Sequence, residues 1–341
     1  MTKLPNITCL DDVRQILGDL PGPDRKAGKA AGEREPQLTK PRNSLGRLEK
    51  LAAWTAIWQG RYPPRMMKPN AHIFAGNHGV VQQGVSAYPQ DVTKQMVKNF
   101  ERGGAAINQL CDTFGVGLCV ESMDLDNPTQ DFTLAPAMSD EECADAIQFG
   151  MSVIDSGSDI ACLGEMGIGN TTSASAICLA LFGGRSVVWT GPGTGIDQTG
   201  INHKAEIISR AVGLHKSIMH DGLDVLRCVG GRELAAIVGA VIGARLQQVP
   251  VMLDGFVSTA AAAPLAAMSK HLLDHCKVGH VSHEPGHKLL LEKLGKVPLL
   301  DQNMCLGEAT GAVLSVGILK AAVACHNNMA TFAEAGVSEK D

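Results

Sequence analysis

The spacing of apolar residues changes near residue 70 and divides the chain into a helical opening and an alternating body. Residues 10–20 read as a first helix, stopped by Pro21 and Pro23. Residues 24–41 are charged and read as a loop or a polar helix. Over 44–58, Leu45, Leu48, Leu51, Ala52 and Ala56 recur at helical spacing, with Ser44 placed to cap the first turn. From residue 71, short apolar runs bounded by Gly, Pro or charge alternate with helical stretches. The runs cover 71–75, 117–121, 160–163, 186–189 and 249–253. As strands they predict an α/β fold, a parallel sheet covered by helices on both faces. Ligands of such sheets bind beyond the carboxyl ends of the strands, so the chemistry belongs in the loops after those runs. Residues 307–335 read as one or two helices, and Ala312, Leu314, Val316, Ile318, Leu319 and Ala322 make that segment apolar nearly all round, as in a buried helix. The tail ending Glu339-Lys340-Asp341 is expected to fray.

Composition narrows the class. A chain of 341 residues can bury a large core in roughly one to three domains. It has 38 Gly and only 4% aromatics, which suits helices packed closely on a sheet and argues against a platform that stacks single-stranded bases. With a net charge of −5 and no basic run, no nucleic-acid footprint is visible, and any phosphate must be held locally. The start carries Asp11, Asp12 and Asp19 and no apolar signal region, and the apolar stretches are interrupted, so no membrane span is expected and the protein reads as cytoplasmic. Ten scattered cysteines form no CxxC pair and read as reduced, mostly buried thiols.

Four loops carry candidate chemistry. Gly164-Glu165-Met166-Gly167-Ile168-Gly169-Asn170-Thr171-Thr172 follows a run read as a strand; its glycines can aim N–H groups at an anion, and the polar triplet can start a helix whose positive end favours phosphate. Thr190-Gly191-Pro192-Gly193-Thr194-Gly195-Ile196-Asp197 could form a nest of N–H groups, with Lys204 as a mobile positive charge nearby. Neither loop has the spacing of an ATP or dinucleotide fingerprint; a plain turn is the alternative for each, and in the first Glu165 and the polar triplet favour a ligand loop. In Ala75-Gly76-Asn77-His78-Gly79, His78 is either an acid or base, or a histidine that orients backbone carbonyls. In Met304-Cys305-Leu306-Gly307-Glu308-Ala309-Thr310-Gly311, a carboxylate stands at the start of an apolar helix. The helix end favours its anion and apolar neighbours favour its acid, the opposition a tunable base needs, although Glu308 could equally serve the helix alone. Two motifs read as bystanders. His283-Glu284-Pro285-Gly286-His287 has zinc-like spacing broken by Pro and Gly, so no metal is expected, and Asp254-Gly255-Phe256 reads as a strand-end turn.

Six segments in this order resemble the nicotinate-nucleotide–dimethylbenzimidazole phosphoribosyltransferase family. They are Lys40-Pro41 with Ser44-Leu45-Gly46-Arg47-Leu48-Glu49; Asn77-His78-Gly79-Val80; Gly164-Glu165-Met166-Gly167 with Asn170-Thr171-Thr172; Asp221-Gly222 with Gly230-Gly231; Leu253-Asp254-Gly255-Phe256; and Leu306-Gly307-Glu308 with Gly311. The resemblance implies a Rossmann-like parallel sheet in a large domain over 61–309, and a smaller helical domain built from 1–60 and 310–341. It implies an enzyme that moves 5-phosphoribose from nicotinate mononucleotide to a lower-ligand base of a cobamide, inverting β to α, with no metal or cofactor. Glu308 would be the catalytic base and Glu165 would lie beside the ribosyl donor. Met166, Gly167, Ile168, Asn170, Thr171, Gly193, Thr194 and Gly195 would hold phosphate and ribose, Lys204 would meet the phosphate, and Leu306 and Gly307 would also bind substrate. It further implies a dimer, of like chains or with a paralogous one, and no nucleic-acid or membrane partner.

Departures from the family pattern cluster at the acceptor. Tyr88 and Met96 occupy its contact positions, Asn77 stands where Asp is usual, Asn43 where Gly is, and Cys305 where Arg is. The expectation is an acceptor other than, or broader than, dimethylbenzimidazole, with phenol or p-cresol as options. A weakly active partner subunit and an unrelated doubly wound nucleotide-binding protein are the alternatives. Retention of Glu165 and Glu308 argues against the first, and the ordered match against the second.

Overall fold

The computed structural model describes residues 4–338, so of the dozen or so tail residues expected to fray the last three lie outside it. Its sheet contains β1 (Pro69–Ala75), β2 (Gly117–Ser122), β3 (Ile160–Met166), β4 (Val251–Leu253) and β5 (Cys276–Val278). Every pairing is parallel and the order is β2-β1-β3-β4-β5. The central strands β1 and β3 are covered on both faces, which is why their apolar runs are nearly continuous rather than alternating. Winding reverses between β1 and β3, and in a doubly wound sheet the crevice opens at that point.

Successive β1 side chains enter opposite layers, Phe74 one core and Ile73 the other. The first layer holds the helices Asp140–Ser152, Asn170–Phe182, Arg232–Leu246 and Phe256–Met268, with Ile147, Ile177 and Ile237 in its core. Two of these helices approach so closely that a Cβ on Gly150 or Gly239 would overlap the facing carbonyl of Ala236 or Ile147. The abundance of Gly and Ala is spent on such contacts. The second layer holds Arg47–Trp58, Ala106–Phe114 and Thr310–Asn328, packed through Leu51, Trp54, Ile107, Val313 and Leu319.

The two chain ends are laced together. The Arg34 guanidinium donates to the carbonyls of His326 (3.1 Å) and Met329 (3.0 Å), taking up acceptors at the end of Thr310–Asn328. Leu38 bridges to Thr331. The first helix, Leu10–Gly18, crosses instead to the other layer, where Leu10, Val13 and Leu17 join the core beside Asp140–Ser152.

Several local expectations change. Residues 186–189 form a helical turn, Ser186–Trp189, not a strand. Two valines suggested β-structure, but Val187 and Val188 are exposed, and Trp189 is buried with its Nε1 donating to the Gly183 carbonyl (2.9 Å). Cys276–Val278 is a strand that no run announced, being three residues long with Lys277 at its centre. Residues 25–34 take the polar-helix option because the Asp24 carboxylate accepts from Lys26 and Ala27 amides at the first turn. Ser44 does not cap the next helix, which starts at Arg47 with Gly46 before it. Beyond Thr310–Asn328, the tail turns once more as Phe332–Ala335, capped by Thr331. No helix among the described residues is long and apolar enough to cross a membrane. All ten cysteines are free thiols.

Candidate active site

A cleft of about 580 Å³ opens at the carboxyl edge of the sheet, within the range of small-molecule sites. Most of its walls come from segments following a strand. Glu165, Met166, Gly167, Ile168, Asn170 and Thr171 follow or end β3; Gly255, Phe256 and Val257 follow β4; His280, Ser282 and Glu284 follow β5. Tyr88 leans in from the segment after β1, and Cys305, Leu306, Gly307 and Glu308 close the floor. Gly193, Thr194 and Gly195 form the remaining side.

Glu165 is buried near the end of β3, where Asn170 donates to one of its oxygens. Burial, together with the charges of Asp254 and Glu233, pushes its carboxyl up to about 8. Glu308 is also buried, and its backbone N–H donates to the Glu165 carbonyl at 3.1 Å. Burial first, then the charge of Asp254, raises its carboxyl to about 7. Burial therefore outweighs the helix end. Glu308 and Ala309 are both left-handed, at φ 64° and 61°, a strained conformation for residues with a Cβ and one that concentrates at functional sites. Gly164 lets this turn lie against β3, since a Cβ there would fall on the Ala309 backbone.

The phosphate-holding candidates face this pair. Lys204 is not mobile. It is 1% exposed, its ammonium donates to Thr171 Oγ1 (2.7 Å), and burial lowers it to about 8 against the opposing charge of Glu284. The loop over 190–197 follows a helical turn rather than a strand, and the Gly193 N–H already donates to Glu284 Oε1 (2.8 Å). Glu284 Oε2 is buried without a partner among the described residues. Burial raises the Glu284 carboxyl while Lys204 and the Gly193 N–H oppose the rise.

Most sequence-selected residues thus converge on one cleft. Lys204 reaches it through Thr171, whereas Met96 packs into the second-layer core and is outside the described lining. His78 is neither at the cleft wall nor turned to backbone carbonyls. Its ring bonds Glu233 Oε1 (2.5 Å) and Ser173 Oγ (3.0 Å) in a sealed cluster. His287 is occupied by the Ser282 amide, which donates to Nδ1 at 2.8 Å. Sequence reasoning missed His280 and Glu284 as parts of the site, and Asp254 as the buried carboxylate behind it. The position of Asp254 directly after a buried strand could have flagged it; Glu284 was masked by the zinc-like spacing, and His280 by the unannounced strand before it.

The phosphoribosyltransferase family DBI_PRT matches residues 20–337. The chain is 55% identical over 331 residues to the nicotinate-nucleotide–dimethylbenzimidazole phosphoribosyltransferase of Sinorhizobium fredii (strain NBRC 101917 / NGR234), covering 97% of this chain and 98% of that protein. It is 55% identical over 336 residues to the protein of that name from Ruegeria pomeroyi (strain ATCC 700808 / DSM 15171 / DSS-3), covering 98% and 99%. Among solved structures, CobT from Thermus thermophilus superposes with a TM-score of 0.86 at 40% identity, covering 92% of this chain and all of that one.

Proposed function

Because this chain belongs to the nicotinate-nucleotide–dimethylbenzimidazole phosphoribosyltransferase family, we propose that it transfers 5-phosphoribose from nicotinate mononucleotide to dimethylbenzimidazole, with Glu308 as the base. The observation that carries the roles is that two buried carboxylate residues, Glu165 and Glu308, line one cleft and are joined by the Glu308 N–H on the Glu165 carbonyl. The donor's nicotinate is cationic at its ring nitrogen and leaves as a neutral ring, taking the electron pair of the C1′–N bond. The acceptor nitrogen attacks C1′ from the opposite face, which inverts the centre. The proton of the acceptor N–H passes to a Glu308 oxygen. A base near 7 suits this task at neutral pH.

In this reading the donor's ribose lies beside Glu165, and its phosphate lies against Thr171, Lys204 and the Gly193–Gly195 backbone. Glu284 surrenders the Gly193 N–H as the phosphate arrives. Binding both substrates in one cleft supplies the positional part of the rate. We place the enzyme in the cytoplasm as a dimer, with its small helical part drawn from both chain ends. A second reading extends the acceptors to phenol or p-cresol. Tyr88, 52% exposed on the cleft wall, and the Cys305 thiol favour it, while the placement of Met96 outside the lining does not.

The test is an assay of the purified protein alone with nicotinate mononucleotide and dimethylbenzimidazole, phenol or p-cresol at equal concentrations, following nicotinate release and product mass. Wild type should form the dimethylbenzimidazole nucleotide, and Glu308→Ala should lose on the order of 10²–10⁴-fold in turnover. Exclusive turnover of dimethylbenzimidazole removes the second reading. Silence with every acceptor rejects the function for the chain acting alone.

A further inference from the structure

Asp254 takes no step in the reaction above, yet it stands at the joint between the sheet and the turn that carries Glu308. It follows β4 directly and is fully buried. Its Oδ1 accepts from the Gly311 N–H (2.7 Å) and the Ala312 N–H (2.9 Å). Those amides belong to the first turn of Thr310–Asn328 and would otherwise lack intrahelical partners. The helix starts immediately after the two left-handed residues Glu308 and Ala309. Strain of that kind persists only where surrounding contacts over-determine it. Here the contacts are the Glu308 N–H on the Glu165 carbonyl, the Thr310 hydroxyl on the Leu306 or Gly307 carbonyl, and the Asp254 carboxylate on the helix start. Asp254 is anchored to the sheet through its own N–H, which donates to the Leu163 carbonyl of β3 (3.1 Å).

We propose that Asp254 is a positioning residue for the transfer: it pins the Glu308–Ala309 turn from beneath and places a negative charge under the cleft floor. The inference rests on Glu308 being the base. The charged and titratable groups around that base are Tyr88 from the segment after β1, Glu165 from β3, Asp254 after β4, His280 after β5, Glu284 ahead of the helix Pro285–Leu294, and Cys305 on its own segment; Lys204 lies beyond Glu284. Of these, Asp254 is the one that bonds the start of the helix that follows Glu308, and its charge raises the Glu308 carboxyl beyond what burial does. Asp254 Oδ2 has no hydrogen-bond partner among the described residues, and His280 Nδ1 lies 3.5 Å from Oδ1.

The experiment measures kcat, both KM values and the pH dependence of kcat for wild type, Asp254→Asn, Asp254→Ala and Glu308→Ala. Asp254→Asn keeps an acceptor oxygen for the two amides and removes the charge. Its kcat profile should therefore move its acid limb to lower pH, because Glu308 then holds its proton less tightly. Asp254→Ala also loses the pin, and its kcat should fall on the order of 10²-fold with the KM for nicotinate mononucleotide little changed. A merely structural role would lower Tm in both variants and leave the acid limb in place, and that result overturns the inference. So does wild-type kcat in both variants when Glu308→Ala is inactive. Full activity of Glu308→Ala rejects the base itself, a failure separable from the first two. If Asp254→Ala does not fold, the acid limb of Asp254→Asn decides.

Discussion

His78 and His280 both lie under the carboxyl edge of the sheet, one after β1 and one after β5, and both are almost wholly buried. Their surroundings are opposite. His78 has a partner on each ring nitrogen, Glu233 on one and Ser173 on the other, and the cluster is closed from solvent beneath Gly76 and Gly231. His280 has no hydrogen-bond partner on either nitrogen among the described residues and lines the cleft. A buried polar group left unpaired costs free energy that native folds rarely accept without a reason. The closed cluster fits a scaffold that holds the loop over 164–172 in place, and the open one fits a site whose partners arrive with substrate. Glu165 and Glu308 belong to the open side, and Ser173 and Glu233 to the closed side.

The sharpest way to break the comparison is His78→Ala. It strands the Glu233 carboxylate in the interior, and a buried charge deprived of its partner costs about 3–5 kcal/mol. Urea titration should show a loss of that order. His280→Ala removes a ring that satisfies no hydrogen bond, so its loss in the same titration should be smaller and its deficit should appear in turnover. Equal stability losses would erase the distinction.

A subtler effect separates Glu165 from an ordinary carboxylate. Its folded value of about 8 lies above the usual 4.5, so the stability tied to its protonated form is complete below about 4.5 and is lost as pH rises through about 8. Glu165→Gln escapes that loss. The variant should melt above wild type at alkaline pH, with the difference shrinking towards pH 4.5, while turnover falls. A variant no more stable than wild type at alkaline pH would show that burial does not penalise this carboxylate.

Much of the site was legible before any coordinates. Runs at β1 and β3 were long and apolar enough to be read as buried strands, and the loop after β3 placed Glu165, Gly167, Asn170 and Thr171 together through local chain direction alone. The pattern flagged Glu308 as a carboxylate ahead of an apolar helix and left its role open; the resemblance supplied the role of base. Short elements were not readable: β5 spans three residues and Ser186–Trp189 a single turn, and at that length neighbours rather than periodicity decide the state.

The sequence by itself therefore determined the doubly wound plan and the loops that carry chemistry, because each is written within a dozen or so neighbouring residues and read by period and turn chemistry, while the roles expected of Glu165 and Glu308 came from the ordered resemblance of six segments. Tertiary structure alone decided that Lys204 is buried on Thr171, that Glu284 occupies the Gly193 amide, that Met96 turns into the core, and that Asp254 grips the helix start 57 residues further on. Those outcomes depend on which distant segments share a wall. Burial and charge–charge distance, which set the values of Glu165 and Glu308, do not exist until the chain has closed on itself.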